Sequence, residues 1–395
     1  WEFSPGENCA YAPGLLCNFN VPCFIRRLYL QYRHMNEHRL TAFNRDQSIT
    51  VGRTTMRVRV VWPKLSAHSI FRVFIVLRDR GVFAPEESGS LHTTHDKGLE
   101  SFAPFQTTNV HERYQPAEDV LWVFPHTFGD ATQSSLWSQP DFDAALEELV
   151  VVLKLARYVD PRYFCLIGEG EGATAVVHSA APILHHFAGV ALMRCERFST
   201  PQLRPFANVA LLYDPREELR MEVAQLDSWV DWVDLGQLAT YAGLTHKTAN
   251  LPTHDYVGRA HNHRIVQDYL RAQTRDAYPR HVVWRQPAGP KQRHFHWLTL
   301  LDTHVEEPVE IIAYRISDSS IIIKCAQPAV QRLTVRLHYS HFTLYKPLAI
   351  FFNGERVHVG EIGESKCLVE KTLQQFGDPL LVSTAEYFIV PDDFK

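Results

Sequence analysis

Residues 163–181, YFCLIGEGEGATAVVHSAA, constrain the fold more than any other stretch. An apolar run from Tyr163 to Ile167 meets Gly168, Gly170 and Gly172 at alternate positions, and an alanine-rich segment with helical spacing follows. The pattern predicts a strand, a tight turn and a helix. Glu169 and Glu171 flank the turn, where carboxylates stabilise the positive end of the helix dipole.

The remainder of residues 51–280 alternates strand and helix patterns around this junction. MRVRVVWP from Met56, Ser69–Arg78, Asp119–His126, Ala188–Arg194 and Asn208–Asp214 read as strands from their short apolar or period-two runs. PDFDAALEELVVVLKLARY reads as a helix, with proline and acids in its first turn and basic residues in its last. A helical segment at Leu219–Leu238, a possible strand at His246–Leu251 and a helix in HNHRIVQDYLRAQ complete the series. Such alternation predicts an α/β domain whose mostly parallel sheet is covered by helices on both faces.

Beyond Tyr278-Pro279 the helical period disappears. HFHWLTLL, PVEIIAYRI, SIIIKC, QRLTVRLHY and PLAIFFNGERVHVG are strand-sized, and Asn353-Gly354 between apolar runs signals a type I′ hairpin. Residues 281–395 are therefore expected to form a separate all-β, sandwich-like domain. Residues 1–50 contain early Pro and Gly and a Tyr/Arg/Leu-rich piece, IRRLYLQYRH. They read either as a mobile terminus or as an extended arm that anchors on a neighbouring protein, because aromatic and arginine side chains dominate interface energetics.

A net charge of −4 supplies no general basic field for nucleic acid. No apolar run approaches the roughly 18 residues of a membrane helix. The chain opens at Trp1 with no basic and apolar leader, so its first residues name no compartment. Its seven cysteines form no C-x-x-C pair; Cys9, Cys17 and Cys23 lie close enough in sequence for a local disulfide, whereas Cys165, Cys195 and Cys325 fall in apolar runs as buried thiols.

ALEELVVVLKLARYVDPRYFCLIGEGEGATAVVHSA resembles the helix, V-D-P turn, strand and G-x-S-x-G elbow of α/β-hydrolases, in their esterase and polyhydroxybutyrate-depolymerase-like branch. YPRHVVWRQPAGPKQRHFHWLTLLD and KPLAIFFNGERVHVGEI resemble the β-rich extension of some bacterial secreted members. The resemblance spans about residues 55–395 and implies an α/β-hydrolase-like fold. It also implies where a triad would stand. Gly170 occupies the nucleophile's place, Asp214 the acid's with Glu217 as second choice, and His254 the base's with His261 and His263 nearby. The loop that should supply an oxyanion hole reads Arg78-Asp79 instead of His-Gly.

The glycine turn also loosely matches the dinucleotide fingerprint G-x-G-x-x-G/A, with Glu196 near the end of the next strand. Glu169 and Glu171 would then oppose the pyrophosphate with like charge, so no cofactor is expected. The pairs His261/His263 and His294/His296 have H-x-H spacing without an identifiable third ligand, so no metal is expected either. The reading that follows is a degenerate hydrolase without its nucleophile, kept as an accessory subunit of a larger assembly. Its partners would be other protein subunits, met partly through the N-terminal arm and placed in a mitochondrial respiratory-type complex. The alternatives are an esterase whose nucleophile was removed by engineering, and a ligand-binding module using the hydrolase cleft.

Overall fold

The computed structural model describes residues 21–36, 47–51, 54–61, 63, 70–77, 119–128, 137, 142–156, 158–193, 203, 206, 208–213, 232–234, 266–286, 294–301, 307–325 and 332–389. The chain divides into two compact units, one of residues 38–276 and one that joins residues 1–37 to residues 277–395. The divisions thus fall at 37/38 and 276/277, where the sequence suggests 50/51 and 280/281. The helices among the described residues are α1 (Val21–Asn36), α2 (Phe142–Lys154), α3 (Glu171–Ala175), α4 (residues 266–272) and α5 (Lys366–Phe376).

The unit of residues 38–276 is organised by one sheet. Its strands are β1 (Gln47–Val51), β2 (Thr54–Val61), β3 (Phe71–Leu77), β4 (Val120–Phe128), β5 (Val159–Glu169), β6 (Gly189–Met193), β7 (Ala210–Tyr213) and β8 (Trp232–Asp234). They lie in the order β1-β2-β4-β3-β5-β6-β7-β8. β2 runs antiparallel to β1 and β4, and every pairing from β4 across to β8 is parallel. This is the mostly parallel, α/β-hydrolase-like sheet that the resemblance implied. β5, which leads into the glycine turn, is interior, between β3 and β6.

Burial explains why the central strands read as apolar runs with little alternation. In β3 every residue from Val73 to Leu77 is buried, because both faces of a parallel sheet are covered. One face contributes Phe74, Val76, Trp122, Phe124, Cys165, Ile167, Ala191, Met193 and Leu212 to a core that Val266 and Leu270 of α4 close. α2 buries Phe142, Ala145 and Leu146 on one face of its first half and every residue from Leu149 to Lys154 in its second, so its C-terminal half is covered all round. Each Val, Leu or Phe side chain taken fully out of water contributes about 1.5–3 kcal/mol.

The helix expected over Leu219–Leu238 is interrupted, since Trp232–Asp234 pair with β7 as strand β8. β-branched and aromatic side chains in this short piece favour the strand once an edge is available to pair with. The possible strand at His246–Leu251 lies outside the described residues.

The other unit holds two sheets. Five strands are ordered β16-β15-β13-β12-β9, where β9 is His281–Gln286, β12 Val309–Ser317, β13 Ser320–Cys325, β15 Leu348–Phe352 and β16 Glu355–Gly360. Four strands are ordered β10-β11-β14-β17, where β10 is His294–Phe295, β11 Leu298–Leu300, β14 Leu333–Leu337 and β17 Ala385–Ile389. Trp284 of the first sheet stacks on Phe295 of the second with ring centroids 6.1 Å apart, so the two sheets share a core. Asn353 and Gly354 have φ of 50° and 88°, the two positive values that a type I′ turn requires, and they join β15 to β16.

Three local expectations for this unit are corrected. The unit is not all β, because α5 runs from an N-cap at Ser365, whose Oγ accepts from the Leu368 N–H, to Gly377 in the left-handed conformation. The arm is not extended throughout: Val21, Ile25 and Tyr29 recur every four residues and form the buried face of α1. The Tyr32 hydroxyl also donates to the Gln374 carbonyl on α5. Finally, β10 ends at Phe295 and His296 sits in a turn with φ 51°, so His294 and His296 do not share a strand face.

A buried imidazole in this unit makes stability depend on pH. Burial, reinforced by the neighbouring His341, lowers the pKa of His338 to about 3. Its Nδ1 accepts from the Ser340 backbone N–H at 3.2 Å, a bond that protonation would abolish. An unfolded chain titrates this ring near 6.5, so it binds one more proton than the folded chain between about pH 6.5 and pH 3. Stability is complete above that window and is lost as pH falls through it, by about 1.4 kcal/mol per unit. Urea unfolding at pH 7 and pH 5 should show this loss, and His338→Gln should make the pH dependence shallower by about 2 kcal/mol over that interval.

Candidate functional site

The glycine turn ends β5 at the centre of the sheet, where the chain passes from strand to helix. The register sets Leu77, the last residue of β3, beside Gly168 and sets Glu169 beside Met193 of β6. β3 connects onward to β4 on one side and β5 to β6 on the other, so this is the place where the strand order reverses. Open α/β sheets present their ligand crevices at such a point, outside the carboxyl ends of the strands.

Gly170 occupies the turn with φ 59° and ψ −120°, a backbone conformation that residues with a Cβ adopt only under strain. Its N–H donates to the Met193 carbonyl at 3.0 Å, and its carbonyl accepts from the N–H groups of Ala173 and Thr174. The turn is therefore fixed on both sides. A second constraint acts at Gly168. A Cβ added there would stand 2.6 Å from the Ala173 Cα and 2.8 Å from both the Ala173 N and the Gly172 carbonyl oxygen. The strand and the helix can approach this closely only because residue 168 lacks a side chain.

The expected alanine-rich helix is present with a changing pitch. α3 gives way to a π turn at Val176–Ala180 and then to a 3₁₀ turn at Ala181–His186, which has a proline in its first turn. Proline supplies no N–H, so the α ladder cannot run through this point.

Strand, positive-φ turn and helix follow one another here in the order of a nucleophile elbow, and residue 170 at the turn has no side chain. In a nucleophile elbow the N–H of the residue after the nucleophile is one oxyanion-hole donor. Glu169 is buried, whereas Glu171 is exposed at the first position of α3. The two carboxylates therefore leave the turn into different surroundings. Of the other sequence-derived positions, Arg78, Asp79, Asp214, Glu217, His254, His261 and His263 lie outside the described residues, as does Glu196. Asp214 directly follows β7 in the chain.

The thiol in β5 is not a substitute nucleophile. Cys165 lies within β5, and burial pushes its pKa up to about 12. A thiol held protonated in this way is a poor nucleophile at neutral pH. Its Sγ lies 3.6 Å from the Leu270 carbonyl, inside the core.

Sequence reading did not find a buried polar group formed by Glu147 and Lys154 of α2 with His185 and His186 at the end of the 3₁₀ turn. The adjacent histidines were the only local signal. Among the described residues, Glu147, His185 and His186 are the group able to hold a metal ion.

No family model and no curated protein matches the chain. Among solved structures it is similar to a thermostable esterase, at 12% identity over 60% of this chain and 64% of that one, with a TM-score of 0.38. The chain thus spans just under two thirds of that esterase. It is also similar to the S-formylglutathione hydrolase of Staphylococcus aureus, at 8% identity over 57% of this chain and 94% of that one, with a TM-score of 0.38. For Est1E from Butyrivibrio proteoclasticus the identity is 8%, over 58% of this chain and 96% of that one, with a TM-score of 0.35.

The two glycines should respond differently to a methyl group. Gly170→Ala meets an unfavourable φ and should cost about 1–2 kcal/mol. Gly168→Ala drives a Cβ into backbone that cannot rotate away, and overpacking of this kind costs about 1–3 kcal/mol, occasionally more. Denaturant titration should rank Gly168→Ala as the less stable variant.

Proposed function

We propose that the chain is a hydrolase-fold protein without hydrolytic activity, acting as an accessory subunit of a larger protein assembly. The observation that carries this reading is Gly170 itself. It holds the strained backbone of an elbow, with φ 59° and ψ −120°, at the centre of the sheet. Acyl transfer through an elbow needs a hydroxyl or thiol there, and glycine offers neither. The vestigial acid and base, Asp214 and His254, would have no proton to take from residue 170. Arg78-Asp79 in place of the oxyanion loop belongs to the same proposal.

The partner surface in this reading is the outward face of α1. The helix carries Arg26, Arg27 and Arg33 and no acidic residue, and it leaves Leu30 51% and Met35 61% exposed. Cys23, Arg26, Arg27, Leu30, Gln31 and His34 line a surface depression of about 430 Å³ on that face. Exposed apolar side chains rimmed by arginines suit a protein interface. Among the described residues no helix is long and apolar enough to cross a membrane. A mitochondrial respiratory-type complex remains the assembly proposed, and the disulfide at Cys367 favours its oxidising side.

Activity measurements test the first half of the proposal. A fluorophosphonate probe should leave the chain unlabelled, and short-chain esters should show no turnover above buffer. Turnover that disappears in Glu171→Gln would overturn the reading, because it would mean that the elbow had been rebuilt around a carboxylate. Gly170→Ser, read in the same assay, reports whether the rest of the machinery survives; recovered turnover would favour a nucleophile lost recently or by engineering.

The mass of the native particle tests the second half. The chain should purify within a larger particle, and Arg26→Glu combined with Leu30→Asp should release it while leaving its own folding cooperative. A free monomer of the unaltered chain would sink the subunit assignment.

A further inference from the structure

The unit of residues 38–276 contains a second polar site, distinct from the elbow. Glu147 and Lys154 are two helical turns apart, so α2 presents both on one side. Lys154, His185 and His186 are fully buried, and the Glu147 side chain keeps 26% of its surface exposed. The Lys154 Nζ lies 2.7 Å from His186 Nδ1, and His186 Nε2 lies 3.4 Å from a Glu147 carboxylate oxygen. The rings of His185 and His186 are 4.1 Å apart. Arg275 donates to the His185 carbonyl at 3.3 Å, which ties the backbone of the turn.

Two imidazolium rings in such contact inside a core would repel, so at least one ring is neutral, the form that ligates metals. One donor atom from each of Glu147, His185 and His186 lies within 4.8 Å of the other two. Tetrahedral zinc, with bonds of about 2.0–2.1 Å, holds its ligand atoms about 3.3–3.4 Å apart. The His186 and Glu147 atoms, at 3.4 Å, already stand at that spacing, and rotation of His185 would bring in the third.

We propose that Glu147, His185 and His186 bind a divalent cation of the zinc type. Two imidazoles and one carboxylate are a donor set that suits zinc, and the exposed edge of Glu147 leaves the fourth position open to water or an anion. The ion would bind His186 through Nε2, with Nδ1 turned toward Lys154. Lys154 supplies a positive charge on the side of His186 away from Glu147. Binding exchanges that charge for the ion's: the Nε2 proton leaves, Nδ1 takes one proton from Lys154, and one proton in total passes to solvent.

The full chain, stripped with a chelator and titrated with Co²⁺ and then Zn²⁺, tests the site. The expected result is one equivalent of cobalt with the intense visible band of tetrahedral coordination, displaced by one equivalent of zinc. His186→Ala and Glu147→Gln should each weaken binding by more than about tenfold. Lys154→Met removes a neighbouring positive charge and should tighten it. Glu147→Gln alters a partly exposed side chain and keeps the test open should His186→Ala fail to fold. No tetrahedral cobalt band would overturn the proposal, as would binding that neither ligand variant weakens, since the chain's 21 histidines offer adventitious sites.

Discussion

The close passage of β5 into α3 is the constraint on which this unit depends. At Gly168 the strand runs within van der Waals contact of Ala173 and Gly172, and two residues later the chain turns through a left-handed φ at Gly170. β3 and β6 pair with β5 on either side, so an error at this turn would move the centre of the sheet and not its edge. In an enzyme the same turn stores strain that serves to present a nucleophile. Glycine at position 170 accepts that backbone without strain and carries no side chain there. Architecture and chemistry are thereby separated: the hydrogen bonds to Met193 and from Ala173 hold the turn with no contribution from a side chain.

The sequence made this part legible because the signals are local. Apolar runs mark β3, β5 and β6, since a doubly covered strand buries most of its side chains, and glycine marks the close approach at 168 and the positive φ at 170. The Asn353-Gly354 hairpin was readable for the same reason, as two adjacent residues that tolerate positive φ. β8 was not, because three residues carry no period and only pairing with β7 makes them a strand. α5 could have been found from Ser365 and Gly377, which bracket it as caps, but it stands in a region whose other segments all favour strands. α1 shows its buried face only every four residues, between exposed arginines that dilute the apolar signal.

Site residues separate along the same line. Gly170 was placed by its own turn, whereas the partners of His186 come from α2, over thirty residues earlier in the chain. In sequence, Glu147 sits in an ordinary acidic first half of a helix and Lys154 at its basic end, which is the arrangement the helix dipole prefers. Only packing shows that Lys154 is fully buried and faces an imidazole. A lysine in that position needs a partner that satisfies its charge, and His186 carries the interaction on to a carboxylate at the surface.

The two sites therefore differ in what they leave open. At the glycine turn residue 170 has no side chain to react, and the thiol in the same strand is held protonated by burial with a pKa of about 12. No adjustment of neighbouring charges restores reactivity to a glycine. At the end of the 3₁₀ turn the reverse holds: ligating groups are present and close, with the Lys154 ammonium beside them. If this fold retains a ligand-dependent property, physical chemistry favours the second place over the first. The elbow would then serve as the rigid joint that carries the turn from β5, through α3, to the two histidines.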